Sequence, residues 1–354
     1  MDALGQVIVS PRPASFRLTR RQVLVRGGIA LSAGAMAASG LSTPAFAQTP
    51  IAVENREMPD DWEGMVDIGG RTLFLETHGS GGPTVVLVSG YRTSGMYWTD
   101  DLLQSDAPRS MVMAGVSEFT HAVVYDRPGT YAPIGPEDVI PSRSEAIAQP
   151  RTAPEVVEEL HQVLQAAGQS GPYVLVGHSL GGFFARLYAS TYPEEVVGMV
   201  LVDAYSEGLE ALLSPADYAA LKKLNQDSGT DTVFEIPGYG DVETLPWGGD
   251  NEVMRAAVAA TPLRPMPLAV LAHGIPFDIA AGSEFTSEEI EPLLLEANEN
   301  LATLVPNARF TVASESGHDI HQDQPQLVIE AIRQVVAGVR NPDTWYSLTT
   351  CCDD

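Results

Sequence analysis

Two hydrophobic periods alternate along this chain. Short continuous apolar runs recur at Thr84–Val88, Ala122–Tyr125, Tyr173–Val176, Val197–Val202, Leu268–Leu271 and Phe310–Val312, the pattern of strands covered on both faces. Arg71–Thr77 alternates instead, as a strand with one half-exposed face does. Between these runs the spacing becomes helical. From Thr152 to Gly168 the residues Val156, Val157, Leu160, Val163, Leu164 and Ala167 form one stripe. Thr152 with Glu155 makes a capping box there, and Gly168 supplies the stop. A second striped helix follows Pro325 through Val328, Ile332, Val335 and Val336. This rhythm predicts an α/β fold, a doubly wound, mostly parallel sheet of about eight strands flanked by helices.

The rhythm breaks twice. Residues 205–265 hold helical pieces at Pro215–Leu224 and Val253–Ala260, joined by a Gly/Pro/Trp segment over Gly238–Gly249, with no strand among them. They read as a helical cap insertion over a site. At the other break, Thr19-Arg20-Arg21-Gln22-Val23-Leu24 is similar to a twin-arginine signal, followed by an uncharged run from Gly27 to Phe46 that ends in Ala45-Phe46-Ala47. The expected organisation is an export signal over 1–47, cleaved after Ala47, a linker over 48–62, a catalytic domain over 63–340 and a C-terminal tail over 341–354. A periplasmic or extracellular protein follows, with no stable membrane insertion of the mature chain.

Composition narrows the class. With 44% hydrophobic residues in 354, the chain can bury one large core. Its formal net charge of -26 sets it against an anionic nucleic acid. The two cysteines, Cys351 and Cys352, are adjacent at the end of the sequence and cannot staple distant parts of a fold, so they read as incidental thiols of a frayed tail.

The chemistry concentrates at Gly177-His178-Ser179-Leu180-Gly181, a G-x-S-x-G nucleophile elbow between the apolar run Tyr173–Val176 and the helical run Phe183–Ala189. A strand, sharp turn and helix in that order push the Ser179 hydroxyl into the open at the sheet's end. Such a hydroxyl needs a base, and in this motif class the base comes late in the chain. Of the seven histidines, His318 in Ser316-Gly317-His318 lies between the last strand and the terminal helix and is the candidate. His321 reads as a rim or supporting residue, His273 as a satisfied core or rim histidine, and His178 as too close to Ser179 to serve it. The orienting acid is Asp203, at the end of Val197–Val202, or alternatively Asp278, beyond Leu268–Leu271. Backbone N–H groups of Leu180 and of Tyr91, in Ser89-Gly90-Tyr91, are the expected oxyanion donors.

Over Asp67–Val339 the chain resembles the α/β-hydrolase superfamily. The matching features are Ser89-Gly90-Tyr91, Tyr125-Asp126-Arg127-Pro128-Gly129, Gly177-His178-Ser179-Leu180-Gly181-Gly182, and Ser316-Gly317-His318 followed by Gln324-Pro325. The resemblance implies a Ser-Asp-His triad and acyl transfer without cofactor or metal on a small ester or related acyl substrate. Aminopeptidase or amidase chemistry on the same triad, and a non-catalytic binding protein, are the alternatives. The family often has His-Gly at the place of Ser89-Gly90. It often sets its acid three residues past a glycine beyond the seventh strand; Asp278 is four past Gly274, which favours Asp203. Members with an Asp nucleophile open epoxides or remove halide, and Ser179 argues against both reactions.

Overall fold

Each continuous apolar run of the sequence is a strand, and all but Phe310–Val312, which lies in the half-exposed edge strand, are largely buried on both faces. The computed structural model describes residues 60–104, 106–134, 138–227, 236, 239–279 and 285–348, with backbone alone for 222–227. Its strands are β1 (Trp62–Asp67), β2 (Thr72–His78), β3 (Thr84–Val88), β4 (Ala122–Tyr125), β5 (Tyr131–Pro133), β6 (Val139–Pro141), β7 (Tyr173–His178), β8 (Val196–Val202), β9 (Leu268–His273) and β10 (Arg309–Ala313). Successive side chains point to opposite faces, and the two cores divide accordingly. Val86, Val88, Leu175, Leu201 and Val270 join one cluster. Val85, Leu87, Val176, Val200 and Leu271 join the other.

Eight strands share one sheet in the order β1-β2-β4-β3-β7-β8-β9-β10, and β5 pairs with β6 in a separate hairpin. From β4 to β10 the neighbours are parallel; β1 and β2 are antiparallel additions at one edge. β1 starts at Trp62, the last residue of the expected linker, and pairs with β2 through a turn in which the Asp67 carboxylate accepts from the Gly69 N–H at 2.8 Å. Helices Ala153–Ala166 and Leu180–Thr191 cover one face, while Val112–Ser117 and Pro325–Arg340 cover the other. At the head of the first, the Glu155 carboxylate accepts from the Thr152 N–H at 2.7 Å, and Gly168 ends the segment with φ 65°. Among the described residues no helix is long and apolar enough to cross a membrane.

The order places β4 on one side of β3 and β7 on the other. Connections therefore leave in opposite directions at this point and open a crevice beyond the strands' C-terminal ends. The loops after β3, β7, β8 and β10, which carry Ser89-Gly90-Tyr91, Ser179, Asp203 and His318, start at that end of the sheet.

Two expectations change. The 205–265 insertion divides: Leu209 and Leu221 pack with Phe277, Ile290, Leu294 and Ala297 in a small separate cluster, whereas Leu245, Met254 and Leu263 belong to the main core. Its second half, helix Trp247–Ala260, is thus part of a helix layer, while its first half packs on Phe277 and on helix Ser287–Leu301. The tail also does more than fray. Helix Pro342–Ser347 buries Trp345 to 2% exposure, and its indole N–H donates to the Asn307 carbonyl at 3.0 Å. Six residues are too few for a periodic signal, so this docking was not readable in advance. The export signal, most of the linker, Cys351 and Cys352 lie outside the described residues.

Candidate active site

β7 ends in a turn that only small residues allow. Ser179 sits at φ 51°, ψ −123°, a conformation L side chains rarely adopt, and its N–H donates to the Val202 carbonyl at 3.0 Å. A Cβ on Gly177 would stand 2.5 Å from the Gly181 backbone, and one on Gly181 would overlap the Val88 carbonyl oxygen. The glycines are therefore steric requirements of packing the elbow against β3. Leu180 opens the helix Leu180–Thr191, so that helix directs its N-terminus at Ser179.

His318 comes from the loop after β10. Its Nδ1 lies 2.5 Å from Asp203 Oδ2, and its Nε2 is buried with no hydrogen-bond partner. Asp203 follows β8 with φ 43°, which turns its carboxylate toward the histidine loop. Burial would raise this carboxyl, but hydrogen bonds from His273 and His318 hold it well below the usual carboxylate range. Of the two candidate acids, only Asp203 meets His318; Asp278 is exposed. Ser179, Asp203 and His318 line a small cavity of about 30 Å³, walled by Tyr205, Leu209, Phe277 and Leu294 among others. A larger open groove of about 620 Å³, near Arg264, Asn307 and Trp345, includes none of the three.

The loop after β3 is held from behind. Arg127, 1% exposed, donates to the carbonyls of Ser89 at 2.7 Å and Gly90 at 2.5 Å, and pairs with Glu243 Oε1 at 2.7 Å. Glu243 in turn accepts from the Arg92 N–H at 2.7 Å. In a planar trans peptide the N–H points opposite to the carbonyl, so fixing the Gly90 oxygen on Arg127 directs the Tyr91 N–H the other way. Gly90 abuts the nucleophile: a Cβ there would lie 3.1 Å from Ser179 Cβ. The Tyr91 ring packs edge-on to Trp247 at 5.1 Å.

The remaining histidines depart from expectation in part. His321 is not on a rim: it is fully buried, 4.5 Å from the Trp98 ring and 4.3 Å from His178, and burial pushes it down to about 3. It lies on the short helix Ile320–Asp323, wedged beneath the site by the turn that follows His318. His178 faces the His318 carbonyl through Nε2 at 3.0 Å and braces the loop that carries His318; burial, then His321 and His318, push it well below its ordinary value. His178, Asp319 and His321 put ligand-type atoms within 4.8 Å of one another. Within this group His178 Nε2 lies 3.0 Å from the His318 carbonyl. His273 is satisfied, as expected, but by the site's own acid: its Nδ1 lies 2.8 Å from Asp203 and its Nε2 2.8 Å from Glu291. Neither Glu291 nor Glu243 carries a sequence signal, since each stands among other polar residues of a helix or loop far from its partner.

Known proteins resemble this chain in sequence and fold. YqjL of Bacillus subtilis, described only as an uncharacterized protein, is 26% identical over 257 residues, covering 73% of this chain and 85% of its own. The "Putative carbamate hydrolase RutD" of Caulobacter vibrioides is 26% identical over 283 residues, covering 75% of this chain and 96% of its own. The crystal structure of a "putative lipase" from Acinetobacter baumannii overlays with a TM-score of 0.51 at 19% identity, covering 80% of this chain and 93% of that one, and shares the fold. The family model described as the alpha/beta hydrolase family matches residues 85–331, from the strand before the Ser89 loop to the terminal helix; this chain belongs to that family.

Proposed function

We propose that the chain is a serine hydrolase that cleaves a small carboxylic ester or related acyl substrate through an acyl-enzyme. The observation that carries this reading is His318, with Nδ1 fixed on Asp203 at 2.5 Å and Nε2 buried without a partner in the cavity that Ser179 lines. A ring nitrogen that donates to a carboxylate leaves the other as the basic atom. His318 Nε2 takes the Ser179 proton as Oγ attacks the substrate carbonyl, and the N–H groups of Leu180 and Tyr91 hold the oxyanion. Collapse of the tetrahedral species expels the leaving group, which receives the proton from His318. Water, deprotonated by His318, then attacks the acyl-enzyme, and the acid leaves as Ser179 regains its proton.

Relatives named for carbamate hydrolysis make carbamates the second class to try. The test is a burst with p-nitrophenyl acetate and labelling by a fluorophosphonate, both expected to vanish in Ser179→Ala; full turnover in that variant overturns the assignment. A panel of matched esters, carbamates and amides then ranks the leaving bond. The reading also includes export of the chain under residues 1–47, for which the N-terminal sequence of the exported protein is expected to begin at Gln48.

A further inference from the structure

We propose that His273 and Glu291 are positioning residues of the acid: His273 clamps the Asp203 carboxylate in the orientation that His318 meets, and Glu291 holds His273 there as a cation. This rests on the serine hydrolase reading. Asp203 accepts from His318 Nδ1 at 2.5 Å, from His273 Nδ1 at 2.8 Å to both oxygens, and from the His273 backbone N–H at 3.2 Å. The far side of the His273 ring meets Glu291 Oε2 at 2.8 Å, while Glu291 Oε1 accepts from the Phe277 N–H at 2.7 Å. Carboxylates only accept, so a ring with a carboxylate at each nitrogen must carry a proton on both. Burial opposes that charge, yet Asp203 and Glu291 outweigh it and push His273 up to about 10. Glu291, His273 and Asp203 thus alternate in charge behind His318.

The consequence falls on the base. His318 faces Asp203 from the end of β8, His178 from the end of β7 and Asp319 on its own loop, with Phe277 against its ring. A cation beside Asp203 offsets part of the negative charge that His318 meets. Glu291 lies on helix Ser287–Leu301, which also brings Leu294 and Asn298 to the cavity. The wall of the pocket and the tuning of the base are therefore one element.

The test uses the full chain with Glu291→Gln and His273→Gln. In Glu291→Gln the amide oxygen satisfies the Phe277 N–H and the NH₂ meets His273, which must then accept and become neutral while still donating to Asp203. Both variants are expected to raise the acid limb of the kcat/KM profile for p-nitrophenyl acetate by about 0.5–1 pH unit. Glu291→Gln should keep kcat on the plateau within about tenfold. A structural role alone would lower activity or stability without moving the limb. Independently of any reaction, histidine ring ¹⁵N shifts should report His273 as doubly protonated at pH 8 in the wild type and neutral in Glu291→Gln. An ordinary titration of His273 near pH 6.5 in the wild type, or an unmoved limb in both variants, overturns the proposal. Undiminished turnover in Ser179→Ala overturns the reading it rests on, a separate outcome that leaves the ring shifts unchanged.

Discussion

At Asp203 a single side chain decides how the site is wired. Two carboxylates were open in the sequence because both follow a strand, and strand ends supply acids and helix caps alike. What separates them is a backbone angle: φ of 43° at Asp203 turns its carboxylate onto His318, while Asp278 stays exposed. Asp203→Asn is accordingly expected to lower kcat by roughly 10³–10⁴-fold, as loss of the correct imidazole tautomer does elsewhere. Asp278→Asn should stay within about twofold of wild type, and steady-state kinetics on one ester distinguish them. A reversed ranking would mean that the loop after β9 supplies the acid when substrate binds. Ser179 and His318 were legible because each sits in a motif whose neighbours state its surroundings, Gly177 to Gly182 and Ser316 to Gln324. Of the two places open for His321, rim or support, the rim fell only in the structure, because a polar residue near a helix start resembles a surface one until Trp98 and His178 are seen against it.

Among the elements, the loop after β3 depends on a contact that spans 116 positions. Arg127 and Glu243 are buried together, and through Arg127 the carbonyls of Ser89 and Gly90 are fixed. Removing one member leaves the other charged, desolvated and alone, which costs about 3–5 kcal/mol. Glu243→Ala should therefore show a large drop in unfolding free energy by urea titration. The same variant should lose kcat beyond what its stability predicts under strongly folding conditions, because the Gly90-Tyr91 peptide is no longer held. A stable variant with normal turnover would show that the pair is dispensable. The strands other than β1, β5 and β6, and the two striped helices, were visible from periodicity, which burial against the sheet imposes directly. The division of the 205–265 insertion was not, since a helical stripe says that a face is covered and is silent on what covers it.

For the molecule as a whole, buried ionic chains make stability depend on pH in a definite direction. His273 holds its proton more tightly folded, up to about 10, than in an unfolded chain near pH 6.5. Its contribution is complete below about pH 6.5 and is lost as the pH rises through 10. Asp203 is shifted the other way, so its contribution is present above its unfolded value and is lost as acid protonates it. Melting temperature is expected to fall between pH 7 and 10 in the wild type and to fall much less in His273→Gln. Parallel curves for the two proteins would exclude a folded-state cation at that position.

Local order settled the fold class and pointed to two candidate groups, Ser179 and His318: apolar runs, helical stripes, an elbow whose steric limits admit little but glycine, and a histidine placed after the last strand. These are properties of neighbouring residues, and a one-dimensional pattern records them fully. Only the folded chain decided which carboxylate meets His318, which arginine braces the loop after β3, and that Glu291 reaches Asp203 through His273. Each of those is a meeting of charges brought together from distant positions, and their energy exists only after the sheet has removed them from water.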